Sequence, residues 1–142
     1  CFMGSICALE GLVELSKGAR VSGLEEAIAS GCEFFLSHRL FRSDHHEWKV
    51  INREWMEPRA PWLVGYNILR ALSSLTDAGV VRDERMDEAT EILRSKRNAN
   101  GRWTRNGSWP SNTYSSFGHH GEEDKWITLR AMIVLHRTSR NR

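Results

Sequence analysis

Apolar residues recur with helical spacing in five stretches of the chain. Ile6, Leu9, Leu12, Val13 and Leu15 predict a first helix over 5–16, ended near Gly18. Ser22 with Glu25 three residues later reads as a capping box. It opens a second predicted helix that runs to about Leu40 and carries Leu24, Ile28, Phe34, Phe35 and Leu36. A polar stretch over 42–59 follows. Pro58 and Pro61 disfavour helix in the residues before them, and Pro61 suits the first turn of a new one. The third predicted helix covers about 62–76, with Ile68, Leu69, Leu72 and Leu75 inward and Gly79 at its C′ position. Asp83 or a neighbour caps a fourth, over about 84–97. Residues 101–121 are rich in Gly, Ser and Asn and read as a long loop. The fifth helix starts near Glu123 and carries Trp126, Ile127, Leu129, Met132, Ile133 and Leu135.

The apolar positions also repeat between helices. At steps of about 60 residues Leu9 aligns with Leu69 and Leu129, Leu12 with Leu72 and Met132, and Leu15 with Leu75 and Leu135. Gly11, Ala71 and Ala131 form a small-residue position in the same register. The second and fourth helices align too, Phe34-Phe35 with Ile92-Leu93 and Arg39 with Arg97. The expected fold is all-α, a single domain of α-hairpin repeats over 1–142. Repeat one covers about 1–60, repeat two about 61–121, and a half repeat 122–142. Such hairpins cannot bury their apolar faces alone and must stack. The first, third and fifth helices are expected side by side, with the second and fourth packed outside them.

Composition narrows the class. The chain has 142 residues, 40% of them hydrophobic, and a formal net charge of +2. That length suits one ordinary domain with its own core. Acidic and basic residues are interleaved, as in Arg82-Asp83-Glu84-Arg85, so no nucleic-acid partner is expected. No run is long and apolar enough to span a membrane, and no signal peptide is visible. Cys1, Cys7 and Cys32 cannot all pair internally. Cys7 and Cys32 fall on apolar helix faces, so a reducing, cytoplasmic setting is expected. The chain lacks an initiating Met and opens almost inside a helix, as a fragment would.

The run from Ala89 to Trp103 has its own signature. Ile92-Leu93 comes late in a helix, Arg97 follows four residues after Leu93, and Gly101-x-Trp103 closes the unit. This resembles the QW motif of the squalene-cyclase and prenyltransferase families, with Arg97 where the motif has Gln. Further similarity lies in 66–72, in Asp77-Ala78-Gly79, in 125–131 and, for an earlier repeat, in 31–40. The resemblance implies an α/α toroid, in which inner helices ring a central cavity, and the C-terminal part of such a protein. Arg39 and Arg97 would then bond a helix end or stack on an aromatic, and Trp103 would lock its hairpin. No Asp-x-Asp-Asp run and no Asp, Cys and His zinc context is present, so the families' catalysis is not carried over.

The candidate site residues are aromatic or histidine-rich. Trp62, Tyr66 and Trp126 fall at the starts of the inner helices, and Trp48 and Trp109 in loops. Together they offer rings that could hold a small apolar or sugar ligand. Asp44, His45 and His46 in one loop and His119 and His120 in another carry metal-ligand chemistry. They could form one site only if the loops met. The acidic run 122–124 also suits the start of the fifth helix. No cofactor is implied. The leading expectation is an α/α-toroid-like module that binds a small ligand, self-associates, or docks onto missing repeats of a parent chain. The alternative is an enzyme. It would be a relative of the isoprenoid cyclases and transferases, or a carbohydrate-active toroid using carboxylates such as Asp44, Glu47 or Asp124.

Overall fold

The computed structural model describes residues 1–62, 65–106 and 117–139. These residues form five α-helices: α1 (Phe2–Ser16), α2 (Leu24–Ser37), α3 (Ile68–Asp77), α4 (Asp87–Ser95) and α5 (Lys125–Ser139). Single 3-10 turns cover Arg53–Met56 and Glu84–Met86. Among the described residues there is no strand, only isolated bridges at Arg42–Val50 and Thr104–Glu123. The expected all-α class holds.

Every helix expected from the apolar pattern is present, and its ends follow local chemistry. The third starts at Ile68 rather than at Trp62, because Asn67 is extended and its side chain accepts the Arg70 N–H at 3.0 Å. Gly79 ends it as expected. It is left-handed at φ 93°, and the Val80 N–H reaches back to the Leu75 carbonyl at 2.9 Å. The Ser22 capping box does not form: left-handed Gly23 is the N-cap of α2, with no side-chain cap. Asp124, inside the acidic run, caps α5 by accepting the Trp126 and Ile127 N–H groups.

Helix α3 is the centre of the packing. It contacts α1, α4 and α5, while α2 lies on α1 and α4 also meets α5. Ile68, Leu69, Ala71, Leu72 and Leu75 are wholly inaccessible to solvent. The flanking helices bury one narrow stripe each, Ile6, Leu9 and Val13 on α1 and Ile127, Ala131 and Val134 on α5. The leucine register at steps of 60 is therefore not a common buried register: Leu15 is 46% exposed, Leu129 49% and Met132 51%. The reason is neighbour number. Helix α3 packs against α1, α4 and α5, whereas α1 packs against α2 and α3, and α5 against α3 and α4.

Polar contacts hold α3 in place. Arg70, 4% exposed, donates from Nε and Nη2 to the two carboxylate oxygens of Glu10 on α1 at 2.8 and 2.6 Å. Its Nη1 donates to the Gly65 carbonyl, and the Ser74 hydroxyl adds a bond to Glu10. At the other end, Asp77 of α3 pairs with Arg137 of α5.

Trp103 is 1% exposed, and its indole N–H donates to the Leu93 carbonyl near the end of α4 at 2.7 Å. Arg97 lies over its ring at 5.8 Å, and its Nε donates to the Gly101 carbonyl. Arg39 stacks over Trp48 after α2 in the same sense, at 5.2 Å. Phe2, Phe34, Phe35, Trp55 and Tyr66 form an aromatic cluster that joins α1, α2 and the segment before α3.

Trp103→Ala is expected to cost about 3–5 kcal/mol, because a large side chain and a buried bond are lost together. An unchanged denaturant midpoint would remove Trp103 from the core of this account. Glu10→Ala is expected to cost roughly 1.5–3 kcal/mol by stranding Arg70. The double variant Glu10→Leu/Arg70→Met should recover most of that. A double variant less stable than Glu10→Ala would mean that the guanidinium does more than neutralise Glu10.

Candidate functional site

The expected aromatic residues separate into three settings. Trp62 is half-buried and lies under Arg130 of α5, whose guanidinium is 5.2 Å from the ring centroid. The Trp62 indole N–H donates to the Arg59 carbonyl. Trp126 is four residues before Arg130, on the same side of α5, and is 55% exposed beside Lys125. These two tryptophans thus share one end of α5. Tyr66 does not join them at the surface. It is 6% exposed, its hydroxyl donates to the Leu40 carbonyl, and burial pushes its phenol well above the usual value. Trp48 is 45% exposed on the α2 side. Trp109 lies outside the described residues.

Arg105 ties the Trp62 segment to α5. It is 2% exposed and forms a buried ion pair with Asp124. Its Nη1 donates to the Ala60 carbonyl at 2.6 Å, while its buried Nε has no partner. Arg105 also lines a cleft of about 460 Å³ together with Arg102, Phe117, Glu122, Lys125 and Trp126. That volume suits a small ligand, and the lining is predominantly charged. A second cleft of about 880 Å³ lies between α4 and the C-terminal end of α5, lined by Arg82, Asp83, Glu84, Asp87, Glu91 and Arg94.

Among the described residues no group of three or more His, Cys, Asp or Glu side chains is placed to hold an ion. Asp44 sits 3.4 Å from His38 Nε2 and 3.2 Å from the 82% exposed His45. His46 is exposed. His119 and His120 are exposed as well, and the His119 N–H donates to Glu122. The carboxylates named for an enzyme have other work. Asp124 is held by Arg105 and caps α5, Glu47 lies 3.7 Å from Lys49, and neither Asp44 nor Glu47 lines either cleft.

The remaining surface feature is apolar. Outside its buried stripe α5 exposes Trp126, Leu129, Met132 and Ile133, and α1 exposes Met3, Cys7, Ala8 and Leu15. Cys7, expected inside, is exposed but borders α3, where its sulfur accepts from Arg70 Nη2 at 3.3 Å; all three cysteines are free. Both helices are apolar around most of their circumference, a composition normal for helices covered on all sides.

Three side chains engaged in the fold differ in how far the sequence marks them. His38 was hidden because its partner Asp44 lies across a turn. Arg105 was hidden because nothing local marks a lone Arg as buried. Arg70 did carry a signal: a single charge within Ile68-Leu69-Arg70-Ala71-Leu72, at 60 residues from Glu10.

Two carboxyls at the α4 end predict acid sensitivity. Hydrogen bonds from Arg85 hold Asp83 below its usual range, and those from Arg42 do the same for Glu88. The folded chain therefore binds fewer protons than the unfolded one in this range. The stability from these pairs is complete above the ordinary carboxylate values and is lost as pH falls through the lower folded ones. The melting temperature should hold steady down to about pH 5 and drop below it. Glu88→Gln should flatten part of the drop, and an identical profile for that variant would rule out its contribution.

No protein-family model, curated protein or solved structure matches this chain.

Proposed function

We propose that the chain is an α-hairpin repeat module of the α/α-toroid kind, similar to the squalene-cyclase and prenyltransferase repeats, that works by association rather than catalysis. One observation carries the reading. The flanking helices α1 and α5 keep apolar residues on the sides turned away from α3, with Trp126, Leu129 and Met132 each about half exposed. Hairpin stacks bury such faces against the next unit. Support for the repeat comes from the neighbours of α3, with α1 and α5 on it, and from Arg39–Trp48 and Arg97–Trp103 after the two intervening helices.

A second reading is a small-ligand site at the N-terminal end of α5. It is favoured by Trp62 and Trp126 on one side of Arg130 and by the adjoining cleft at Arg105. Apolar chains or sugars are the expected ligands. An enzyme of the isoprenoid or carbohydrate class has less behind it, since Asp124 is engaged in the fold. No helix among the described residues is long and apolar enough to cross a membrane.

Sedimentation velocity across a wide concentration range tests the association. The chain is expected to shift reversibly from monomer to larger species in the micromolar range or below. A single monomer species at every concentration would defeat the reading.

A further inference from the structure

We infer that the cleft at the N-terminal end of α5 takes a small neutral polyhydroxy ligand, a single sugar in size, bound at the Arg105 Nε–H and the Trp126 ring. This inference rests on the small-ligand reading above and names the ligand's chemical class. Arg105 carries it. The side chain is 2% exposed, with Nη2 paired to Asp124 and Nη1 donating to the Ala60 carbonyl, yet Nε finds no partner among the described residues. A buried donor without an acceptor is costly, and Arg105 lines the cleft whose occupant can supply one.

Gly118 shows which way Nε faces. A Cβ added at Gly118 would lie 3.4 Å from Arg105 Nε and 3.6 Å from Glu122 Oε2. All three residues line the same cleft. The bare side of this glycine, left-handed at φ 100°, therefore brings a donor and an acceptor within the span of one small ring. Glu122 Oε2 already accepts the His119 N–H at 3.0 Å, and a carboxylate has further acceptor capacity.

That juxtaposition selects the class. An apolar chain would leave Nε unpaired. An anion at Nε would face the Glu122 carboxylate, and the charge of Arg105 is already balanced by Asp124. A hydroxyl both accepts and donates, so neighbouring hydroxyls serve Nε and Glu122 together without adding charge. Trp126, 55% exposed, lines the same cleft and offers a ring on which the C–H face of a sugar can rest. A volume of about 460 Å³ lies within the range of small-ligand sites.

The test is an NMR titration of the full chain, read at the Arg105 Nε–H and the Trp126 indole N–H, with the Trp48 indole as internal control. The probes are the methyl glycosides of glucose, galactose, mannose and N-acetylglucosamine, with cyclohexane and inorganic phosphate for the other two classes. At least one glycoside is expected to shift both signals with millimolar affinity and leave Trp48 unmoved. Trp126→Ala, at an exposed position, should weaken that binding about fivefold. Glu122→Gln keeps an acceptor and loses the charge, so glycoside binding should persist. A glycoside that shifts Trp126 and not Arg105 would overturn the role given to Nε. Cyclohexane alone shifting Trp126 would overturn the sugar class and leave the small-ligand reading standing. So would phosphate alone, bound more tightly by Glu122→Gln, which would make the ligand an anion. Signals unmoved by every probe would overturn both the inference and the reading beneath it.

Discussion

The bidentate pair between Arg70 and Glu10 is the contact on which the arrangement depends. A guanidinium 4% exposed in the first turn of a buried helix is tolerable only with a carboxylate and a carbonyl in place. Glu10 supplies that carboxylate from α1, so α3 can bury its flank only when α1 lies alongside in one register. The remaining sides of α3 are covered by α4 and α5, and Asp77 with Arg137 fixes the far end. A hydrophobic contact would allow α1 and α3 to slide; a two-point ion pair does not.

That central helix explains the surface. With three helices around it, α3 buries all of Ile68–Thr76, whereas α1 and α5, with two each, bury one stripe. The exposed remainder includes large apolar side chains, Met3 and Leu15 on α1 and Trp126, Leu129, Met132 and Ile133 on α5, beside charged ones such as Glu14 and Arg130. A helix that ended the stack in solution would be expected to carry a polar outer face, as terminal repeats do. The association reading follows from this mismatch between composition and exposure, not from any site geometry.

The helices were legible because spacing and caps agree. Leu69, Leu72 and Leu75, Gly79 as the left-handed stop, and Asp124 ahead of α5 all act as the pattern implies. Trp103 was legible through its position after Arg97 and Gly101. The outward position of Leu129 and Met132 was not, because periodicity reports which residues share a face and not whether a neighbour covers it. Tyr66 was read as a mouth residue and lies instead among Phe2, Phe35 and Trp55, since its burial depends on α1 and α2 returning to it from far in sequence. Arg105 could not be foreseen at all. Its partners Ala60 and Asp124 lie 45 and 19 residues away, and only the folded chain brings them together.

Hydroxyl-radical footprinting over a concentration series tests the central claim most directly, because Met3, Leu15, Trp126, Leu129 and Met132 report both outer faces in one sample. The account predicts that labelling falls at α1 and at α5 together as the chain is concentrated, while exposed Trp48 on the α2 side stays reactive. Labelling at α1 and α5 that is independent of concentration would contradict it.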